Sequence, residues 1–286
     1  MTISGKTRIL GIIGWPVEHS LSPLMQNAAL EEMGLDYVYV PFPVREEGLG
    51  AAIGGMRALG VAGFNVTIPH KTAVIPCLDR LAPEAALIGA VNTVKREGDD
   101  LVGYNTDGVG FLNSLRDDLG FDPAGARILL LGAGGAGRAA LASLCRAGAA
   151  QVLIANRNAE RGEGLAEEFR SFFSGTQIAA FGLGSPSVTD EIQKVDLLVN
   201  TTSVGMGDTV FEGLDLSLLK PDASVYDMVY APWETPLLKE ARRQGVRCAN
   251  GIGMLVAQGE CSLEIWTGKV PPSGVMKSRI WAALGR

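Results

Sequence analysis

The chain has 286 residues, 47% of them hydrophobic and 20% charged, and carries a formal charge of −6. That length suits one large domain or two of ordinary size. An acidic chain with no basic stripe argues against a nucleic-acid binder. No run of roughly 18 apolar residues offers a membrane span, and "MTISGKTRILGIIGW" lacks the long apolar core of a signal peptide. The four cysteines, Cys77, Cys145, Cys248 and Cys261, are scattered without a CxxC pair, and no histidine stands at metal-ligand spacing. They read as free thiols in a reducing cytoplasm, so no bound metal is expected and the sequons at Asn65 and Asn200 are incidental.

Along the chain, "TRILGIIG" reads as a strand and "SPLMQNAALEEMG" as a helix, with Ser22 as N-cap, Pro23 at the first helical position and Gly34 as the stop. "YVYVPFPV", the helical "GLGAAIGGMRALG" and "AGFNVTI" continue the alternation, which predicts a largely parallel sheet covered by helices. Two β-like runs flank "EGDD" in "AVNTVKREGDDLVGYNTD", predicting a hairpin or a short antiparallel excursion. A helix, "GVGFLNSLRDDLG", and the turn-rich "FDPAGA" then mark the domain junction. A second alternating set starts at Arg127 with the strands "RILLLGA", "QVLIANR", "QIAAFG", "VDLLVNTT", "SVYDMVY" and "VRCANG". Past Met254 the tail reads as two helices broken by "GKVPPSG", packing back on one of the two sheets.

"RILLLGAGGAGRAALASL" places Gly132, Gly134 and Gly137 between a strand and a helix, the GxGxxG context of dinucleotide binding. The glycines permit a tight turn, close approach of backbone to a pyrophosphate and close helix–strand contact, and the helix N-terminus supplies free N–H donors. A merely structural turn is the bland alternative. The next strand ends in "LIANRN". Asn156 stands where an NAD site carries an acid for the ribose 2′-hydroxyl, and Arg157 and Arg161 follow, so NADP is favoured over NAD. Otherwise these arginines are a solvated helix start.

A nicotinamide cofactor implies hydride transfer and a group that moves a proton. Three side chains at the ends of β-like runs qualify: His19 in "WPVEHSLSP", and His70 with Lys71 in "TIPHK". A lysine in a semi-enclosed cleft can act as acid or base, with Asp107 of "YNTDG" to orient it; equally, Lys71 could be a solvated lysine and Asp107 a helix N-cap. Ser20, Ser22, Asn65, Thr67, Asn92, Asn105 and Gln258 are uncharged donors and acceptors suited to a polyhydroxylated ligand, each with an alternative as cap or turn residue.

At this point the chain resembles the shikimate dehydrogenase family. The motifs "GWPVEHSLSP", "FNVTIPHK", "GAVNTV", "GYNTDG", "GAGGAG", "NRN", "NTTSVGM", "YDMVYAPWETPLL" and "NGIGMLVAQ" follow the family's order over nearly the whole length. The resemblance implies a two-domain α/β fold. Residues 1–107 with 253–286 would form an open-sheet substrate domain onto which the C-terminal helices return, and residues 108–252 a Rossmann-type NADP domain. It implies NADPH-dependent reduction of 3-dehydroshikimate to shikimate on the route to aromatic amino acids. Carried over by position, Lys71 and Asp107 match the catalytic pair, and Ser20, Ser22, Thr67, Asn92 and Gln258 match shikimate contacts. Tyr230 is similar to a tyrosine near the substrate carboxylate. Gly132, Ala133, Gly134, Gly135, Ala136, Gly137, Asn156, Arg157, Asn158 and Arg161 match the NADP site. Met228 and Gly251 match positions beside the nicotinamide, and cleft closure would bring the two reactants together.

Three departures stand out: Asn158 replaces the usual threonine of "NRT", Asn250 replaces an aspartate, and His70 occupies a variable position. An NAD-tolerant quinate/shikimate dehydrogenase is the nearest alternative, which Asn156-Arg157 opposes. A non-catalytic regulator and a metal-dependent dehydrogenase are weaker rivals. The expected partner is a small molecule, with neither nucleic acid nor membrane, and the chain a monomer or homodimer.

Overall fold

The computed structural model describes residues 2–207 and 209–285. It falls into two units, Met1–Gly110 with Leu255–Arg286, and Phe111–Met254.

The first unit begins with β1 (Arg8–Gly14), α1 (Ser22–Glu32), β2 (Tyr37–Pro43), α2 (Leu49–Ala58) and β3 (Gly63–Val66), and β1 lies parallel to both β2 and β3. Leu21, not Ser22, is the N-cap of α1, and it makes no side-chain cap bond. Ser22 is already helical, and its N–H donates to Ser20 Oγ at 3.2 Å. Gly34, at φ +61°, ends the helix as expected. Two short elements follow that the sequence reading missed, β4 (Arg80–Leu81) and α3 (Pro83–Ile88), then β5 (Thr93–Glu97) and β6 (Asp100–Tyr104). The hairpin forms with Gly98 at φ +65° in its turn. It sits inside the main sheet: β5 pairs antiparallel with both β3 and β6, so the sheet is mixed, in the order β2-β1-β3-β5-β6-β4. Phe64, Val66, Val94 and Leu101 are fully buried in its core.

α4 (Asp107–Leu119) starts in the first unit and leads into the second, which runs β7 (Arg127–Leu131), α5 (Gly135–Arg146), β8 (Gln151–Asn156), α6 (Ala159–Arg170), β9 (Gln177–Gly182), α7 (Pro186–Ile192), β10 (Leu197–Asn200), β11 (Ser224–Asp227), α8 (Pro236–Arg243) and β12 (Arg247–Asn250). All six strands are parallel, in the order β12-β11-β10-β7-β8-β9. The order in which strands are added reverses between β7 and β10, which makes their carboxyl ends the ligand crevice of a doubly wound sheet. Ile128 to Leu131 and Leu197 to Val199 are buried, as strands covered on both faces must be. The sequence reading also missed α8, though Thr235 caps it by accepting from Leu238 N–H and Pro236 opens it.

The chain returns to the first unit along α9 (Ile252–Thr267) and ends in α10 (Val275–Ala283). Trp266 of α9 donates from Nε1 to Val94 O at 2.9 Å, and Gln26 of α1 donates to Gly259 O at 2.9 Å. Trp266 seats so closely that a Cβ on Gly63 would lie 2.3 Å from its ring. No helix among the described residues is long and apolar enough to cross a membrane.

Candidate active site

In the mixed sheet, β3 and β6 run against β5, so the ends of β1, β3 and β6 and the start of β5 share one edge. Lys71 lies in the turn after β3, where its carbonyl accepts from Val91 N–H at 2.7 Å. Asn92 immediately precedes β5; its carbonyl accepts from Val66 N–H at 2.8 Å and its N–H donates to Tyr104 O at 3.1 Å. Asp107 follows β6 as the first residue of α4. Its N–H donates to Asn105 Oδ1 at 3.0 Å, an Asx turn that leads into the helix, and the Asp107 carboxylate bonds elsewhere. That carboxylate accepts from Lys71 Nζ at 2.5 Å through one oxygen and from Asn92 Nδ2 at 2.9 Å through the other. The lysine side chain is 17% exposed and the aspartate 5%, so the pair is sheltered yet open to a ligand on the lysine side.

Gln258, on α9, accepts from Asn92 Nδ2 at 3.4 Å. Thr67 follows β3, its methyl packed where any side chain on Gly14 would fall, 2.4 Å from a Cβ there. Ser20 and Ser22 stand on the loop after β1 and the first turn of α1. The structure thus gathers Lys71, Asp107, Asn92 and Gln258 into contact and sets Thr67, Ser20 and Ser22 on chain leaving the same sheet edge. Tyr230 belongs to the second unit, half-buried just past β11.

The histidines part company from this cluster. His19 is exposed. His70 is fully buried, with Nε2 2.6 Å from Val44 O and Nδ1 without a partner. Since a carbonyl only accepts, Nε2 carries the proton, and the ring serves the loop. Asn65 is likewise structural: Oδ1 accepts from Tyr39 OH at 2.7 Å, while Nδ2 donates to Asn92 O at 3.0 Å. Both sequon asparagines, Asn65 and Asn200, are buried.

In the second unit the glycine turn closes tightly. Gly132 has φ +111°, and a Cβ there would lie 2.6 Å from Thr202 Cγ2; one on Gly137 would lie 2.6 Å from Gly132 O. Gly134 differs, since its missing Cβ would meet nothing within 4 Å. The turn is therefore packed from beneath and bare above, where the N–H groups of Gly135, Ala136 and Gly137 begin α5 with no intrahelical acceptor. Asn156 Oδ1 accepts from Ala133 N–H at 3.2 Å, and Arg161 Nε donates to Ala133 O at 3.1 Å. Asn158 caps α6 by accepting from Arg161 N–H at 2.8 Å, a role that a threonine can also fill. Arg157 is exposed. These residues fit a dinucleotide with a 2′-phosphate. At the ends of β11 and β12, Gly251 abuts Met228, whose carbonyl oxygen would be 2.1 Å from a Cβ on residue 251.

Asp227, at the end of β11, escaped the sequence reading. It is fully buried, accepts from Asn200 Nδ2 at 2.8 Å, Val229 N–H at 3.0 Å and Thr235 Oγ1 at 2.6 Å, and desolvation raises its carboxyl to about 6. The ordinary turn residues around it gave no signal. Among the described residues no cluster of three or more His, Cys, Asp or Glu could hold a metal.

Comparison with known proteins bears on the same residues. Three family models match in chain order: a shikimate dehydrogenase substrate binding domain over residues 12–94, a shikimate/quinate 5-dehydrogenase model over 116–205, and a shikimate 5′-dehydrogenase C-terminal domain over 251–280. A shikimate dehydrogenase (NADP(+)) of Geobacter metallireducens is 72% identical over 286 residues, covering 100% of both chains. The chain belongs to the shikimate dehydrogenase family. A crystal structure of a shikimate dehydrogenase in complex with NADP+ is 40% identical, with a TM-score of 0.90 over 100% of this chain and 98% of the other. A shikimate 5-dehydrogenase of Listeria monocytogenes, solved with shikimate and NAD, is 36% identical, with a TM-score of 0.88 and coverage of 98% of each chain. Family membership and fold therefore agree in both units of this shikimate dehydrogenase family member, and the two-domain α/β expectation holds.

Proposed function

We propose that this chain catalyses the reversible, NADP-dependent reduction of 3-dehydroshikimate to shikimate, a step toward aromatic amino acids. The observation that carries the reading is the sheltered Lys71–Asp107 pair at 2.5 Å, in a chain whose relatives are named for this reaction. NADPH, when bound, supplies the hydride. Lys71 engages Asp107 through one of its three N–H donors, which leaves donors for the substrate's carbonyl oxygen and a proton to transfer as that oxygen gains charge. Asp107 holds the lysine in place and accepts from the substrate's ring hydroxyls. Asn92 fixes the aspartate, Gln258 and Thr67 take further hydroxyls, and Ser20, Ser22 and Tyr230 serve the ring carboxylate with neutral donors.

In the cofactor unit, the N–H groups of residues 135–137 receive the pyrophosphate above the bare Gly134. Arg157 and Arg161 take the 2′-phosphate, with Asn156 and Asn158 shaping the turn, and Met228 and Gly251 flank the nicotinamide. Residues 1–107 with 253–286 serve the substrate and 108–252 the cofactor. The free cysteines suit a cytoplasmic enzyme acting on a small molecule as monomer or homodimer, without nucleic acid or membrane.

The Listeria relative solved with NAD motivates a second reading, an NAD-tolerant quinate/shikimate dehydrogenase. Steady-state rates with shikimate or quinate, each with NADP+ or NAD+, decide between them. We expect the highest kcat/KM for shikimate with NADP+; equal or better values for quinate with NAD+ favour the second reading, and no turnover with any pair favours a non-catalytic binder.

A further inference from the structure

We propose that Thr93 and Ser262 are positioning residues that hold Asn92, and through it Asp107, in the orientation the catalytic pair requires; the inference rests on the catalytic reading above. Thr106 N–H donates to Asn92 Oδ1 at 2.8 Å, and a backbone N–H can only donate, so the Asn92 amide has one possible orientation with Nδ2 toward Asp107 Oδ1. The orientation is held from the opposite side by Thr93, whose hydroxyl donates to the same Oδ1 at 3.0 Å. Thr93 Oγ1 lies 2.7 Å from Ser262 Oγ of α9; with the single Thr93 proton on Asn92 Oδ1, Ser262 is the donor across this contact, and Gln258 O at 2.9 Å competes for the same proton. Asn65 Nδ2 reaches both hydroxyls at 3.1 Å. Thr93 and Ser262 are each fully buried, so neither contacts solvent or a ligand, and neither hydroxyl could find water if its partner were removed.

The pair therefore joins two parts of the site that the chain brings in from different elements. The helix carrying Gln258 is tied through Ser262 to Thr93, and Thr93 to the asparagine that grips Asp107. Deleting the Thr93 hydroxyl leaves Asn92 Oδ1 to Thr106 alone, through its N–H at 2.8 Å and its hydroxyl at 3.3 Å, and deleting the Ser262 hydroxyl removes the group that Thr93 packs against; either change loosens the hold of Asn92 on Asp107. Positioning losses of this kind act on the chemical step rather than on cofactor binding.

The test uses the full-length enzyme with shikimate and NADP+, comparing Thr93→Val, which keeps the shape of threonine, with Ser262→Ala, Thr93→Ser and Asn92→Ala. Expected are roughly tenfold losses of kcat for Thr93→Val and Ser262→Ala, an unchanged KM for NADP+, and recovery of most activity in Thr93→Ser. Adding Thr93→Val to Asn92→Ala should cost little more than Asn92→Ala alone, because both act through one amide. Wild-type kcat in the hydroxyl-less variants with only a lowered melting temperature, or losses that simply add in the double variant, would overturn the proposal. If Thr93→Val does not fold, Ser262→Ala carries the same comparison. A wild-type protein that turns over neither shikimate nor dehydroshikimate instead overturns the proposed function, a result readable before any variant is made.

Discussion

Lysines are usually solvated, and Lys71 is set apart by what surrounds it: an aspartate at 2.5 Å, a backbone carbonyl pinned by Val91, and a side chain 17% exposed. For Lys71→Ala we expect kcat to fall by roughly 10²- to 10⁴-fold, about 3–5 kcal/mol of transition-state stabilisation, with KM for shikimate changing far less. Turnover at the wild-type rate would end the catalytic assignment. His70→Leu makes the contrast within the same turn. It removes the bond to Val44 O, which should lower unfolding stability by about 1 kcal/mol and leave the pH dependence of kcat unaltered. Nothing in "TIPHK" as a string separated these neighbours, since both follow the same strand; the family resemblance pointed to Lys71, and burial and partners set the two apart in the structure.

The glycine turn and the strand after it allow a sharper test at the level of the element. Gly134 has ordinary extended backbone angles and open space at its Cβ position, so Gly134→Ala should fold with an unchanged melting temperature yet raise KM for NADP+. Gly137→Ala should instead destabilise, by about 1–3 kcal/mol, because its Cβ would press within 2.6 Å of the Gly132 carbonyl. Thermal melts beside cofactor titrations distinguish the two. Arg157→Ala should raise KM for NADP+ roughly tenfold and leave KM for NAD+ nearly unchanged, the outcome expected from the proposed pairing of its exposed guanidinium with the 2′-phosphate. The turn, its flanking strand and its helix were fully legible in the sequence because glycine spacing is local. The elements that went unread, α3, α8 and the two-residue β4, are short, although Pro83 with Gly89 and Thr235-Pro236 were signals available to find the helices.

For the whole molecule, pH dependence of stability should carry the mark of Asp227. Its carboxyl titrates near 6 when folded, against an ordinary value of 3.8, so the folded state binds the proton more tightly. Stability should therefore decline as pH rises from about 4 to 6, by an amount on the order of 3 kcal/mol from this group, and Asp227→Asn should flatten that slope in chemical denaturation. A slope unchanged by the substitution would contradict the assignment. Chelators should leave kcat untouched; activity abolished by EDTA and restored by a divalent ion would revive a metal mechanism. Legible along the chain were the alternation of strands and helices, the dinucleotide turn, the residues that favour NADP and, through motifs in family order, the polar residues near the strand ends. These rest on local spacing and on residue chemistry that the chain displays along its length. Tertiary structure decided the rest: that the first sheet is mixed, that Leu21 rather than Ser22 precedes α1, that Lys71 meets Asp107 from 36 residues away, and that Thr93 meets Ser262 from 169. Strand pairing, burial and the direction of a hydrogen bond depend on which distant groups share a dry neighbourhood, and no local pattern encodes that neighbourhood.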